Sequence, residues 1–117
     1  MRSDWVVEFS QAAERDFELI FDHLMNAYLA FGDEPDVALE RAIARIRRLR
    51  SEIGRIVETP KIGTVRADIL PSARFLRRDD AAIWFVPIEE RKVILVAAIF
   101  YGAQDHIRHM LVRLLAE

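Results

Sequence analysis

Hydrophobic and polar positions change period several times along the chain, and each change marks an element. In "DWVVEF", residues 4–9, Trp5, Val7 and Phe9 alternate with Val6 and Glu8, as in a half-buried strand. Ser10 follows, a residue whose hydroxyl can accept an unpaired amide of a helix's first turn. From Gln11 to about Leu29 the period becomes helical. Ala13, Phe17, Ile20, Phe21, Leu24 and Tyr28 share one face, while Glu14, Glu18, Asp22 and Asn26 point away. Gly32 interrupts this run. Asp33 is then placed to cap a second helix that tolerates Pro35 in its first turn. Its apolar stripe is Leu39, Ala42, Ile43, Ile46, Leu49 and Ile53. Arg41, Arg45 and Arg48 line another face, with Arg47 and Arg50 beside the seam. Gly54 weakens its end, and Thr59-Pro60 forbids extension.

The segment 61–72 has no sustained period and reads as a loop. Ala73 to Arg77 reads as a strand, Asp79-Asp80 as a turn and Ala81 to Ile88 as the next strand. After a second turn at "EERK", Val93 to Tyr101 is almost wholly apolar, the mark of a central strand buried on both faces. Beyond Gly102, Ile107, Met110, Leu111, Leu114 and Leu115 recur at helical spacing. The expected order is β-α-α-β-β-β-α, an α+β fold. An antiparallel sheet of about four strands packs on a helical hairpin, and a short C-terminal helix follows. Residues 1–117 are expected to form one domain, a size that supports its own core.

Composition narrows the classes. There are no cysteines, so disulfides and thiolate metal sites are excluded. The N-terminal stretch does not read as an export signal, and no window approaches the roughly 18 unbroken apolar residues of a membrane span. The expectation is a cytoplasmic protein without a membrane partner. The net charge of −2 conceals an asymmetry. Residues 1–40 hold ten acids and two bases, residues 41–78 eleven bases and three acids, and residues 79–117 six acids and four bases. A basic middle segment suits an acidic protein, RNA or DNA; alternatively its arginines balance Glu14, Glu18 and Asp22 of the first helix.

The order of elements and three phrases, "VEFSQAAERDFELIFDHL", "ARFLRRDDAAIWFVP" and "VILVAAIFYGAQDHIRHML", resemble the RelE/ParE family of toxins from type II toxin–antitoxin (plasmid stabilisation) modules. The resemblance spans essentially the whole chain, and the last phrase is similar to the ParE-like branch. It implies a growth-inhibiting toxin silenced by a cognate antitoxin, acting alone, as a homodimer or within a toxin–antitoxin hetero-oligomer. ParE-like members poison DNA gyrase; RelE-like members cut mRNA on the ribosome; a non-toxic relative would bind a partner only. Antitoxin tails are often acidic, so Arg41, Arg45, Arg48, Arg66, Arg74, Arg77 and Arg78 are the expected partner-binding residues.

Cleavage of RNA would need a base, an acid and cations on the phosphate. Arg74 and Arg78 would share one strand face with Arg77 opposite, and Tyr101 and His106 would carry the protons. Against this, cleaving relatives are usually basic overall, and between residues 61 and 78 the only lysine is Lys61. Structural roles suit these residues better than catalysis: Tyr101 with its hydroxyl in water, His106 capping a helix or bonded to Asp105. His106, His109 and Asp105 are a weak pattern for a metal, and no metal or cofactor is expected. "QDH", residues 104–106, then reads as a strand-to-helix joint, with Gly102 freeing the backbone and Asp105 capping the last helix. The expectation leans away from an enzyme, towards a ParE-like binding protein.

Overall fold

A computed structural model describes residues 4–102 and 105–116; Gln104 of the QDH stretch lies outside the described residues. Strand β1 (Val6–Phe9) leads into helix α1 (Gln11–Ala30) and helix α2 (Pro35–Gly54). A 3-10 turn, Arg55–Glu58, continues α2. Strands β2 (Thr64–Val65), β3 (Arg74–Arg78), β4 (Ala81–Ile88) and β5 (Val93–Tyr101) precede helix α3 (His106–Ala116). The sheet order is β1-β5-β4-β3-β2. β2, β3, β4 and β5 form an antiparallel meander, whereas β1 runs parallel to β5, with Val6 opposite Val93 and Phe9 opposite Val96. The α+β layout holds, with two corrections. The sheet has five strands rather than four, because a two-residue strand inside 61–72 has no period to reveal it. It is also mixed, because alternation along β1 does not encode its direction.

The helical hairpin covers one face of the sheet. Ala13, Phe17, Ile20 and Leu24 of α1 meet Ala42, Leu49 and Ile53 of α2 above Leu76, Ile83, Phe85, Ile94, Val96 and Ile99. On the opposite face a smaller core gathers Ala73, Trp84, Ala98 and Met110, with Phe75, Phe100, Ile107 and Leu114 beside them. Two stripe assignments are corrected. Leu39 is exposed and Ala38 is buried in its place, since this end of the hairpin projects away from the sheet with Phe31 and Val37. On α3, Leu111 and Leu115 face outward while His106 and Met110 are buried.

Local choices fix the entries. Ser10 caps α1 by accepting the Ala13 amide at 3.0 Å, and its hydroxyl donates to the Ala97 carbonyl at 3.1 Å. Asp33 does not cap α2 as expected. Glu34 holds the capping position without a side-chain bond, Pro35 supplies the preset backbone, and the Asp33 carboxylate accepts from Arg41 instead. Asp79 and Asp80 both have positive φ (51° and 66°), the mirror-image geometry that matches strand twist in a two-residue hairpin.

One irregularity decides which face carries which residue. Across from β4, Phe85 is opposite Val96 and Trp84 opposite Ala98, so Ala97 has no counterpart. This bulge reverses the alternation of β5. Ile94 and Val96 face the hairpin, and beyond the bulge so do Ile99 and Tyr101, while Ala98 and Phe100 turn to the α3 face.

Candidate functional site

Tyr101 therefore meets α2. Its Oη accepts from Arg45 Nη2 at 2.7 Å, and the His23 ring of α1 lies 5.9 Å from its own. Arg45 also reaches Asp80 Oδ2 at 3.2 Å and Asp79 Oδ1 at 3.7 Å, and Arg48 Nε reaches Asp79 Oδ1 at 3.3 Å. The Tyr101 bond, followed by attraction to Asp79 and Asp80, raises Arg45 above its ordinary pKa, against the opposing effect of burial. The network welds α2 to the β3–β4 turn and to the end of β5. Two readings are corrected by it. The Tyr101 hydroxyl is held by a guanidinium rather than left to water. Arg45 and Arg48 balance Asp79 and Asp80, not the acids of α1; on α2 it is Arg50 that pairs with Glu14, at 2.7 Å. Arg41 pairs with Asp33 and lies 4.1 Å over the Tyr28 ring.

The strand arginines divide as expected for a β-strand. Arg74 and Arg78 lie on the same side of β3 as buried Leu76, facing the hairpin, and Arg77 lies with Phe75 on the other. Arg74 Nη1 donates to the Lys61 carbonyl at 2.6 Å and Arg78 Nη1 to the Arg77 carbonyl at 3.3 Å. Arg78 also lines a cleft of about 370 Å³ with Glu52, Arg55, Glu58 and Ile62. No carboxylate among the described residues lies within ion-pair distance of Arg74 or Arg78. Arg66 is engaged at 2.9 Å by Asp68, which raises the arginine's pKa and lowers the acid's.

His106 is elsewhere. It is buried on the α3 face, where Trp84 Nε1–H donates to its Nδ1 at 3.2 Å and the Phe75 ring packs edge-on at 4.6 Å. Burial, reinforced by the charge of Arg77, lowers its pKa below the ordinary imidazole value. The histidine thus uses Trp84 as its partner instead of Asp105, whose backbone carbonyl accepts the His109 amide. Tyr101 and His106 lie on opposite faces of the sheet. His109 stacks on Phe100 at 5.7 Å, outside the buried cluster that holds His106. Among the described residues no group of three histidines, cysteines or acids is arranged to hold a metal ion.

A polar cluster escaped the sequence reading. Asp16 lies on the buried stripe of α1. Its Oδ2 accepts the Ile99 amide at 2.9 Å and Arg113 Nη1 at 2.8 Å, and its Oδ1 accepts Arg113 Nη2 at 2.8 Å. β1 ends opposite Val96, so beyond it the outer edge of β5 has no strand partner. Ser10 and Asp16 bond the groups left there, and Arg113 draws α3 onto the same carboxylate. The signal was an acid at a core position of the α1 stripe, between Ala13 and Ile20. In the quoted phrase "VEFSQAAERDFELIFDHL", the serine and this aspartate are the residues that seal β5.

No protein-family model and no curated protein matches the sequence. Solved structures do match the fold. A toxin–antitoxin structure, the chromosomal ParDE system from P. aeruginosa, is 18% identical over 85% of this chain and 97% of that one, with a TM-score of 0.60. An arginine-substituted mutant of the E. coli toxin RelE in the free state is 11% identical, covering 97% and 99%, at 0.59. The intact E. coli RelBE toxin–antitoxin complex is 12% identical, covering 86% and 99%, at 0.51. At these identities the likeness is one of fold. No helix among the described residues is long and apolar enough to cross a membrane.

Proposed function

We propose that this chain is the toxin of a type II toxin–antitoxin module, a one-domain cytoplasmic growth inhibitor silenced by a cognate antitoxin, and that it acts by binding its target, as ParE-like proteins do on DNA gyrase. The fold shared with ParDE and RelE structures supports the toxin assignment. The observation that carries the choice of mechanism is the separation of the two candidate proton carriers. Tyr101 is committed to Arg45 on the hairpin face, and His106 is buried under Trp84 on the other. General acid–base cleavage needs both groups within reach of one phosphate. Arg74 and Arg78 on β3 support this reading, as cations without an ion-paired carboxylate among the described residues. An acidic antitoxin tail fits these cations by charge.

A second reading keeps one observation in its favour. Arg74, Arg78 and Tyr101 do share the hairpin face, so a RelE-like mRNA endoribonuclease would have its cations and one phenol on one side. Induction of the chain without its antitoxin separates the readings. The gyrase reading expects growth arrest with DNA breaks and an SOS response, retained in Tyr101→Phe. Transcripts cut within codons, with cutting lost in Tyr101→Phe, would replace it with the nuclease reading. Unchanged growth would leave a partner-binding relative without toxicity.

A further inference from the structure

The structure leaves a second surface unused by that proposal, on the side of the molecule formed by α1 and α3. Leu19 of α1 is 58% exposed and Val112 of α3 57%. Between the helices runs a groove of about 480 Å³ walled by Ala12, Leu19, Phe100, Val112 and Ala116. Apolar side chains gathered in this way mark a contact surface. Of the charges beside them, Asp16 and Arg113 pair with each other, while Arg15 and Asp22 are of opposite sign. Neither Arg15 nor Asp22 has an oppositely charged partner among the described residues, and both are exposed.

Their spacing says what covers the groove. Arg15, Leu19 and Asp22 stand at i, i+4 and i+7, along one stripe of α1. We infer that the α1–α3 face binds a second copy of this chain, through an antiparallel crossing of α1 on α1 centred between Glu18 and Leu19. That register sets Arg15 opposite Asp22 of the second copy, and by two-fold symmetry does so twice. It also sets Gln11 opposite Asn26 of the second copy. A two-fold axis perpendicular to the crossed helices keeps both α3 helices on the same side, so Leu19 and Val112 of the two copies converge into one apolar layer. A parallel crossing would set Arg15 against Arg15 and Asp22 against Asp22, and like charges would oppose it.

The other exposed apolar cluster does not fit a second copy. Leu29, Phe31 and Val37 at the hairpin tip are accompanied by Asp33, Glu34, Asp36 and Glu40, so two tips repel. The α1–α3 face combines apolar area with self-complementary charge. It includes neither Arg74 nor Arg78.

The test is sedimentation velocity on the protein made by cell-free synthesis, over a series of micromolar concentrations. Wild type is expected to dimerise. Leu19→Asp, an exposed position, is expected to remain monomeric with an unchanged circular dichroism spectrum. Arg15→Asp and Asp22→Arg each turn two attractions into repulsions and are expected to weaken the dimer by about tenfold. The double exchange R15D/D22R is expected to restore it. A wild type that stays monomeric throughout, a dimer that survives Leu19→Asp, or a double exchange as weak as its parents would each overturn the inference.

Discussion

Asp16 offers the sharpest test of how the sheet is held. Its side chain is 4% exposed and that of Arg113 26% exposed, so most of the ion pair is withdrawn from solvent. Asp16→Ala removes the acceptor of two charged bonds and of the Ile99 amide, and leaves Arg113 partly buried without this carboxylate. Breaking a buried pair from one side costs about 3–5 kcal/mol. The partial exposure of Arg113 lets water recover some of that, so the lower end, about 3 kcal/mol, is expected. With a urea slope of about 1.5 kcal/mol/M, the unfolding midpoint falls by about 2 M at unchanged slope. Asp16→Asn keeps an acceptor for Ile99 and is expected to lose about 2 kcal/mol. In a double-mutant cycle with Arg113→Ala, the two losses should be strongly non-additive. A loss below about 1 kcal/mol in Asp16→Ala, or simple additivity, would show that the carboxylate does not organise this corner.

Three other substitutions probe separate parts of the account. Gly63 has φ +93°, and a Cβ there would lie 2.5 Å from the Phe75 carbonyl oxygen, so Gly63→Ala should cost about 1–3 kcal/mol and expose the amides of β2 and β3 to hydrogen exchange. His106 is held below its ordinary pKa, so the unfolded chain takes up the proton first; stability is full above the usual imidazole range and declines as pH falls below about 6.5. His106→Gln retains an acceptor for Trp84 and should flatten that part of the stability–pH curve, as measured by urea titration at neutral and mildly acidic pH. Tyr101→Phe removes the Arg45 bond and should cost about 1 kcal/mol in urea unfolding while leaving growth arrest intact.

Periodicity carried the elements and not their mutual placement. The stripe Ala13, Phe17, Ile20, Leu24 of α1 and the apolar run of β5 reflect local geometry, and both were legible. Ser10 announced the start of α1 in the same way. The bulge at Ala97 was invisible, because small apolar residues on either side fit both faces; with it went the knowledge of where Tyr101 points. Arg45 and Arg48 read as a free cationic face because their partners, Asp79 and Asp80, are brought to them only by the fold. His106 stood within a polar phrase, yet the return of α3 over the sheet buries it against Trp84, a contact no local pattern encodes. Asp16 could have been found: an acid on an apolar stripe demands a buried partner, and Arg113 occurs at the far end of the chain.

The claim that this protein inhibits by binding, with no cleavage site of its own, is tested most directly by adding the purified chain to two reconstituted systems side by side, DNA gyrase with supercoiled plasmid and ribosomes programmed with a defined mRNA. The account predicts linearised plasmid in the first, prevented by prior addition of the antitoxin, and intact mRNA in the second. Cut mRNA with undamaged plasmid would contradict it.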